Sequence, residues 1–242
     1  MQPTLPSRDL VLIGAGHTNL HVVRMWRMQP IPDVRLTLVS PFSRATYSGM
    51  LPGTLAGLYQ PDDMEIDLHR FCTSCDVRLI VADAVGFDPK KRRVHFNDRP
   101  EIRFDVASIG IGSVPNNAAV WRDHPDVLSI KPMATFRDRL DTRLEQLRTT
   151  RKDSETKPIS VAVVGGGAAG VEITFCVQSF LKQQSLPFEL SLIDSNDSVL
   201  RGYLPKTIQK TTAELIARNV SLKNNQRVES IENGELVFKS GE

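Results

Sequence analysis

The sequence predicts an α/β protein of two similar halves, each built on a parallel sheet, with small antiparallel β arms. Two stretches and their spacing carry that prediction. At 159–172 the run ISVAVVGGGAAGVE passes from six mostly apolar residues into Gly165, Gly166, Gly167, two alanines, Gly170 and Glu172, a buried strand turning directly into a helix. At 10–19 LVLIGAGHTN repeats the arrangement with Gly14 and Gly16. Each is followed by a helix and a second strand, Phe188 to Ile193 (FELSLI) in one case and Val34 to Val39 (VRLTLV) in the other. Gly14 precedes Gly165 by 151 residues, so one βαβ unit recurs as a divergent internal repeat.

The residue types at the later turn suit a Rossmann-like dinucleotide-binding half. Gly165 permits the tight bend, Gly167 lets the backbone approach a pyrophosphate, and Gly170 lets the helix press against the strand. A helix starting there aims unpaired N–H groups and its positive dipole end at a diphosphate. The next strand ends on Asp194, whose carboxylate can accept hydrogen bonds from an adenosine ribose. Two such units in one chain usually hold two nucleotides. The earlier unit departs twice: Asn19 stands where the third glycine belongs, and Ser40 where the acid belongs. Asn19 either spreads the packing slightly or offers the diphosphate a donor, and Ser40 is a neutral ribose partner, weaker than a charged one.

With 242 residues, 40% hydrophobic and 24% charged, the chain has the composition of an ordinary globular protein. Two modest domains are expected, 1–130 and 131–242. A net charge of +2 from 30 basic and 28 acidic side chains argues against nucleic acid or an anionic membrane as partner. Three cysteines make no disulfide framework and suit a reducing compartment. The start MQPTLPSRD lacks signal-peptide character, and no apolar run approaches the ~20 residues of a membrane span, so a cytoplasmic location is expected.

In chain order, Leu20, Val23 and Trp26 recur at helical spacing before Pro30 and Pro32 end the helix. Residues 41–57 carry Gly49, Pro52, Gly53 and Gly57 among hydroxyl side chains, a long loop suited to lining a site. Asp62 to Phe71 suggests a short helix and Val77 to Val81 a third strand. Arg92–Phe96 and Ile102–Ile109 read as strands of a small arm around Asn97-Asp98. Residues 118–132 read as loop, Thr135–Thr149 as an amphipathic helix with Phe136, Leu140, Leu144 and Leu147 on one face. The polar stretch 151–158 is the expected linker. Beyond Asp194 a helix is expected to run to Arg218, then a strand at Val220–Leu222 and a hairpin turning at Asn233-Gly234.

Cys72-Thr73-Ser74-Cys75 has no second pair to complete a zinc site and lacks the strand-to-helix context of a redox motif, so both read as ordinary cysteines. Cys176 falls in the helix after the later glycine turn. His17 and His21, four residues apart on one helix face, lack a third metal ligand, which favours packing or a phosphate role. No metal site is expected.

Three segments carry a family resemblance: GAGHTN after a strand, LVSPFSRATYSGMLPGTLAG at 38–57 and SIGIGSVP at 108–115. Together they resemble the FAD-dependent pyridine nucleotide oxidoreductases, most closely the branch fused to the N-terminus of selenide, water dikinases. That branch is itself similar to type II NADH dehydrogenases and sulfide:quinone reductases. The resemblance implies that Gly14, Gly16, His17, Thr18 and Asn19 surround the FAD diphosphate, with Ser40 near the adenosine ribose and the Val85 backbone at the adenine. It places Arg44 and the Tyr47-Ser48-Gly49 turn beside the flavin, and Gly112 in the loop closing the FAD half. Gly165, Gly167, Gly170, Glu172 and Asp194 then hold NAD(P)H, with NADH preferred because Asp194 repels a 2′-phosphate and Arg201 lies beyond the turn.

The implied activity is hydride transfer from NAD(P)H to flavin and onward to a small-molecule or quinone-like acceptor. The loop at 41–57 has no C-x4-C pair for a disulfide relay. The alternative is a non-catalytic dinucleotide-binding module tied to selenophosphate synthesis. The family's returning C-terminal segment is missing, so a shortened, C-terminally truncated chain with an open FAD site, little bound flavin and a tendency to homo-oligomerise is expected.

Overall fold

A computed structural model describes residues 5–113, 124–150, 157–185 and 187–239. The loop expected at 118–132 and the linker expected at 151–158 lie partly outside these residues. The first elements are β1 (Arg8–Ile13), α1 (His17–Met28), β2 (Val34–Ser40), β3 (Arg44–Thr46), α2 (Leu51–Leu55), β4 (Glu65–Asp67) and α3 (Leu68–Ser74). There follow β5 (Arg78–Val81), β6 (Ala84–Asp88), β7 (Arg93–Phe96), β8 (Ile102–Arg103) and β9 (Val106–Ile109). After α4 (Phe136–Thr150) come β10 (Ile159–Val164), α5 (Ala168–Gln183), β11 (Phe188–Ile193), α6 (Pro205–Ala217), β12 (Val220–Lys223), β13 (Val228–Glu232) and β14 (Glu235–Phe238). The α/β class with parallel sheets and small antiparallel arms is as expected.

The chain forms two compact units, Met1–Ser48 with Met64–Val120 and Lys131–Ala134, and Gly49–Asp63 with Trp121–Ile130 and Thr135–Glu242. In the first unit the parallel sheet runs β5-β2-β1-β9. Its strands are apolar on both faces because both are covered. Leu12, Leu36 and Leu38 meet Val23 and Trp26 of α1 and Cys72 of α3, while Val11, Ile13, Val39 and Ile80 meet Val94 and Phe104 beneath the β6-β7-β8 arm.

Two segments differ from expectation. Residues 62–71 are not one helix, because Glu65–Asp67 pair antiparallel with Arg44–Thr46 and α3 begins only after Asp67, whose carboxylate accepts from the Arg70 N–H. The stretch 102–109 divides: β8 stays in the arm, whereas β9 leaves it to lie parallel to β1. Its Phe104 turns into the core at the change of sheet.

In the second unit β10, β11 and β12 form a parallel sheet, with Leu190, Leu192 and Val220 packed against Val171 of α5 and Leu215 of α6. Helix α6 starts later than expected, at Pro205. Leu200 (φ 54°) and Gly202 (φ 90°) hold left-handed backbone before it, and proline suits the first helical position. Phe136, Leu140 and Leu144 are the buried stripe of α4. Gly49–Asp63, expected with the first half, clusters with the second, where Gln183 at the end of α5 donates to the Ala56 carbonyl at 2.8 Å. The β13–β14 hairpin turns through Asn233 (φ 51°) and Gly234 (φ 80°), the two positive φ angles of a tight two-residue turn. Among the described residues no helix is long and apolar enough to cross a membrane.

Candidate cofactor sites

The two glycine turns are built alike. Gly14 donates to the Val39 carbonyl and Gly165 to that of Ile193, each at 2.8 Å. This places Ser40 and Asp194 at matching positions, each one residue beyond the acceptor. Gly14 (φ 89°) and Gly165 (φ 116°) take backbone that only glycine adopts without strain. Gly16 and Gly167 are extended N-caps of α1 and α5 without side-chain capping, and neither helix has an acidic residue in its first turn. Both helix N-termini therefore present unpaired N–H groups to an anion.

At the second turn the space fits a diphosphate. A Cβ on Gly165 or Gly167 would meet no atom within 4 Å. Gly170 has the opposite surroundings: a Cβ there would lie 1.7 Å from the Gly165 carbonyl oxygen, so the close seat of α5 on the turn depends on its absence. Asp194 is 6% exposed, and its Oδ1 accepts from the Asn196 main-chain N–H at 3.1 Å and Nδ2 at 2.9 Å. Arg201, expected to lie beyond the turn, reaches back to donate to Asn196 Oδ1 at 2.7 Å. The glycine pattern gives Gly166 no role, yet a Cβ on it would sit 2.1 Å from Asp194 Oδ2. The middle glycine of the triplet is the room the acid needs. Glu172 is exposed on α5, four residues past the start of the helix.

At the first turn the glycines answer packing from below. A Cβ on Gly14 or Gly16 would approach the Gly110 carbonyl oxygen to 2.4 and 2.9 Å. Asn19, fully buried, follows neither course expected of it: its Nδ2 donates to the carbonyls of Ile13 at 3.1 Å and Gly14 at 2.8 Å, and its Oδ1 accepts from Ser108 Oγ at 2.8 Å. Where the second turn avoids a clash with its first carbonyl by omitting a side chain, the first turn hydrogen-bonds that carbonyl. Both amide protons are consumed, which leaves Asn19 no donor for a diphosphate. Ser108 and Gly110 could have been suspected only from the resemblance at 108–115.

Above this turn lies a cavity of about 610 Å³. Gly16, His17, Thr18, Tyr47, Ser48 and Gly112 all line it. The His17 and Tyr47 rings stand 4.6 Å apart at 54°. Their setting, an uncapped helix N-terminus beside aromatic rings and glycine backbone, fits the diphosphate and adjoining part of a flavin dinucleotide. Ser40 is buried, and its Oγ accepts from the Phe42 N–H at 3.3 Å, leaving its proton for a ribose oxygen. Of the residues named with this site, Gly14, Asn19 and Ser40 lie outside the cavity lining, and so do Arg44, Val85 and Gly49. Arg44 is ion-paired with Glu65 at 2.6 Å across β3 and β4, Val85 is an exposed residue of β6, and Gly49 clusters with the other unit.

The cysteines stay apart from this chemistry. Burial, then the neighbouring Cys75, pushes the Cys72 thiol up to about 11, and burial with Glu172 raises that of Cys176. Among the described residues no three His, Cys, Asp or Glu side chains are grouped to hold a metal ion.

Residues 8–242 match the profile of a family described as pyridine nucleotide-disulphide oxidoreductase. External NADH-ubiquinone oxidoreductase 2 of Saccharomyces cerevisiae mitochondria is 23% identical, with 98% of this chain and 50% of that protein covered. The NADH dehydrogenase-like protein YutJ of Bacillus subtilis is 25% identical, with 92% and 59% covered. The chain thus spans between half and three-fifths of the length of these relatives. Among solved structures, NDH2 of Plasmodium falciparum in complex with NADH superposes with a TM-score of 0.76 at 17% identity, covering 96% of this chain and 50% of that one. The sulfide:quinone oxidoreductase of Aquifex aeolicus gives 0.73 at 16%, covering 98% and 56%. At such identities the structural likeness speaks for the fold.

Proposed function

The chain belongs to the pyridine nucleotide-disulphide oxidoreductase family, and from that premise we propose that it is an FAD-dependent oxidoreductase taking hydride from NAD(P)H and passing electrons to a small-molecule or quinone-like acceptor. The family and its NADH dehydrogenase relatives imply FAD and NAD(P)H as the cofactors. FAD is assigned to residues 1–130 and NAD(P)H to 131–242. The observation that carries the reading is the pair of matching turns, each with an uncapped helix N-terminus and a polar side chain, Ser40 or Asp194, one residue past the turn's backbone acceptor.

When bound, the flavin and nicotinamide supply the hydride chemistry. The chain's part is to hold and orient. The N–H groups opening α1 and α5 each hold a diphosphate, Ser40 and Asp194 fix a ribose, and His17, Tyr47 and the Gly112 backbone border the flavin side of the first cavity. No thiol relay enters, since Cys72 and Cys75 are buried with the Cys72 thiol held protonated. Closer placement in the branch attached to selenide, water dikinase rests on TYSGMLPG at 46–53. Three free cysteines suit a reducing, cytoplasmic setting.

The test is anaerobic titration of the flavin-supplemented chain with NADH, then addition of a soluble quinone. Bleaching of a bound flavin band, restored by quinone, is the expected result. Nucleotide binding without bleaching would instead identify a non-catalytic module.

A further inference from the structure

We propose that a cavity at the foot of the first sheet, between the start of β2 and the turn from α3 into β5, binds a small carboxylate with an apolar body. The sheet lacks its edge strand there. β1 pairs with β2 from Val34 onward, whereas β5 joins only at Thr37, opposite Arg78. Residues 34–36 of β2 therefore have no strand on their outer side, and Asp76, with φ 54°, turns the chain into β5 beyond that point. A cavity of about 570 Å³ occupies the gap, a volume ordinary for small-molecule sites. The glycine turn is at the other end of β1, roughly 20 Å away by the rise of a six-residue strand, and the two cavities share no lining residue.

The lining divides by chemistry. Trp26, Ile31 and Val34 supply an apolar wall, and Arg35 and Arg78 a cationic one. Arg35 is already neutralised, its Nε 2.7 Å from Asp9 Oδ1. Arg78 is not. Its Nε donates to Thr37 Oγ1 at 3.0 Å, which anchors one side of the guanidinium, and it forms no ion pair among the described residues. Burial, then the neighbouring Arg35, lowers its pKa, with Asp9 opposing and Arg99 adding to the effect. Asp76 lines the rim, exposed to solvent, and pairs with neither arginine.

The unpaired charge selects the ligand. With its Nε engaged, Arg78 keeps the terminal nitrogens of a planar fork, which match the two oxygens of a carboxylate. One guanidinium calls for one acid group, and a doubly charged phosphate exceeds the single cation left over. The Trp26, Ile31 and Val34 wall calls for a ring or short alkyl body that displaces water from it. A neutral ligand would leave Arg78 without a counter-charge, and a purely ionic one would leave the wall wet.

The experiment is calorimetric titration of the 242-residue chain with 1-naphthoate and with its neutral isostere 1-naphthamide, in wild type, Arg78→Gln and Ile31→Asp, with thermal melts to verify folding. Wild type is expected to bind the acid about tenfold or more tightly than the amide, the worth of about one hydrogen bond to a charged group. Excess FAD and NADH should leave that affinity within about twofold. Arg78→Gln should erase the preference by weakening the acid. Because Arg78 also supports the buried Thr37 hydroxyl, Ile31→Asp, at an exposed residue, keeps the test independent of that support. It should weaken the acid about tenfold and the amide less. Equal wild-type affinities for acid and amide, binding of neither, a preference unchanged in every folded variant, or displacement of naphthoate by FAD or NADH would overturn the assignment.

Discussion

Replacing Gly167 by valine separates a binding glycine from a folding glycine. The position has φ −70° and ψ 177°, extended backbone that a β-branched residue adopts readily, and an added Cβ meets nothing within 4 Å. The cost to folding is that of an unfavourable helix N-cap, no more than about 1 kcal/mol. The isopropyl group instead fills the space over the helix N-terminus that a diphosphate would occupy. Losing two charge-assisted hydrogen bonds there, at about 1.5–3 kcal/mol each, removes about 3–6 kcal/mol of binding. At 1.4 kcal/mol per decade this weakens NADH by roughly a hundredfold to ten-thousandfold. NADH fluorescence titration with a parallel urea melt measures both quantities. A folded Gly167→Val protein with wild-type affinity would mean that the turn only packs.

Gly170→Ala should behave in the reverse way: its Cβ would stand 1.7 Å from the Gly165 carbonyl, and an overpacking cost on the order of 3 kcal/mol should appear in the urea midpoint. An unshifted midpoint would contradict that geometry. Asn19→Ala strips partners from the carbonyls of Ile13 and Gly14 and from Ser108, and about 2–4 kcal/mol of stability should go with them, read by chemical denaturation. A change under 0.5 kcal/mol, the scale of an ordinary surface substitution at about ±0.5 kcal/mol, would contradict it. Wild type should bind NADH more tightly than NADPH, and Asp194→Ala should weaken NADH about tenfold to a hundredfold. Tighter NADPH binding by wild type, or an indifferent Asp194→Ala, would refute the ribose role. For Cys72, raised from 9.0 to about 11, the fold favours the protonated thiol, so its stabilisation is full below about pH 9 and is lost as pH rises to about 11. The denaturation-midpoint gap between wild type and Cys72→Ala should shrink across that window, and a pH-independent gap would count against it.

Both βαβ units were legible because their signals are local. Apolar runs such as LVLI and FELSLI, the turn glycines of each unit and, in the second, the terminal Asp194 lie within a few tens of residues. What escaped was set by partners distant in sequence. Nothing near Glu65 announces that Glu65–Asp67 will pair with Arg44–Thr46 and divide a helical-looking stretch, or that Phe104 will join the core of Val11, Ile13 and Val39. Asn19 read as an irregularity because its acceptor role depends on Ser108, 89 residues away. Gly166 looked redundant until the side chain it accommodates was placed, and the Asn196–Arg201 pair needed the course of the intervening turn.

The fit of Gly166 to Asp194 sets the order in which one turn can be converted into the other. In the first unit Ala15 and Ser40 hold the corresponding places, a methyl group opposite a side chain shorter than aspartate. A carboxylate at 40 opposite that methyl would meet the approach of about 2.1 Å that a Cβ at 166 would make. Single substitutions therefore have an order. Ala15→Gly must precede Ser40→Asp, and the acid installed first yields a strained turn whatever its later benefit to a ribose. Laboratory selection starting from the first turn should accumulate the glycine before the acid, and the double variant should exceed the sum of its parts.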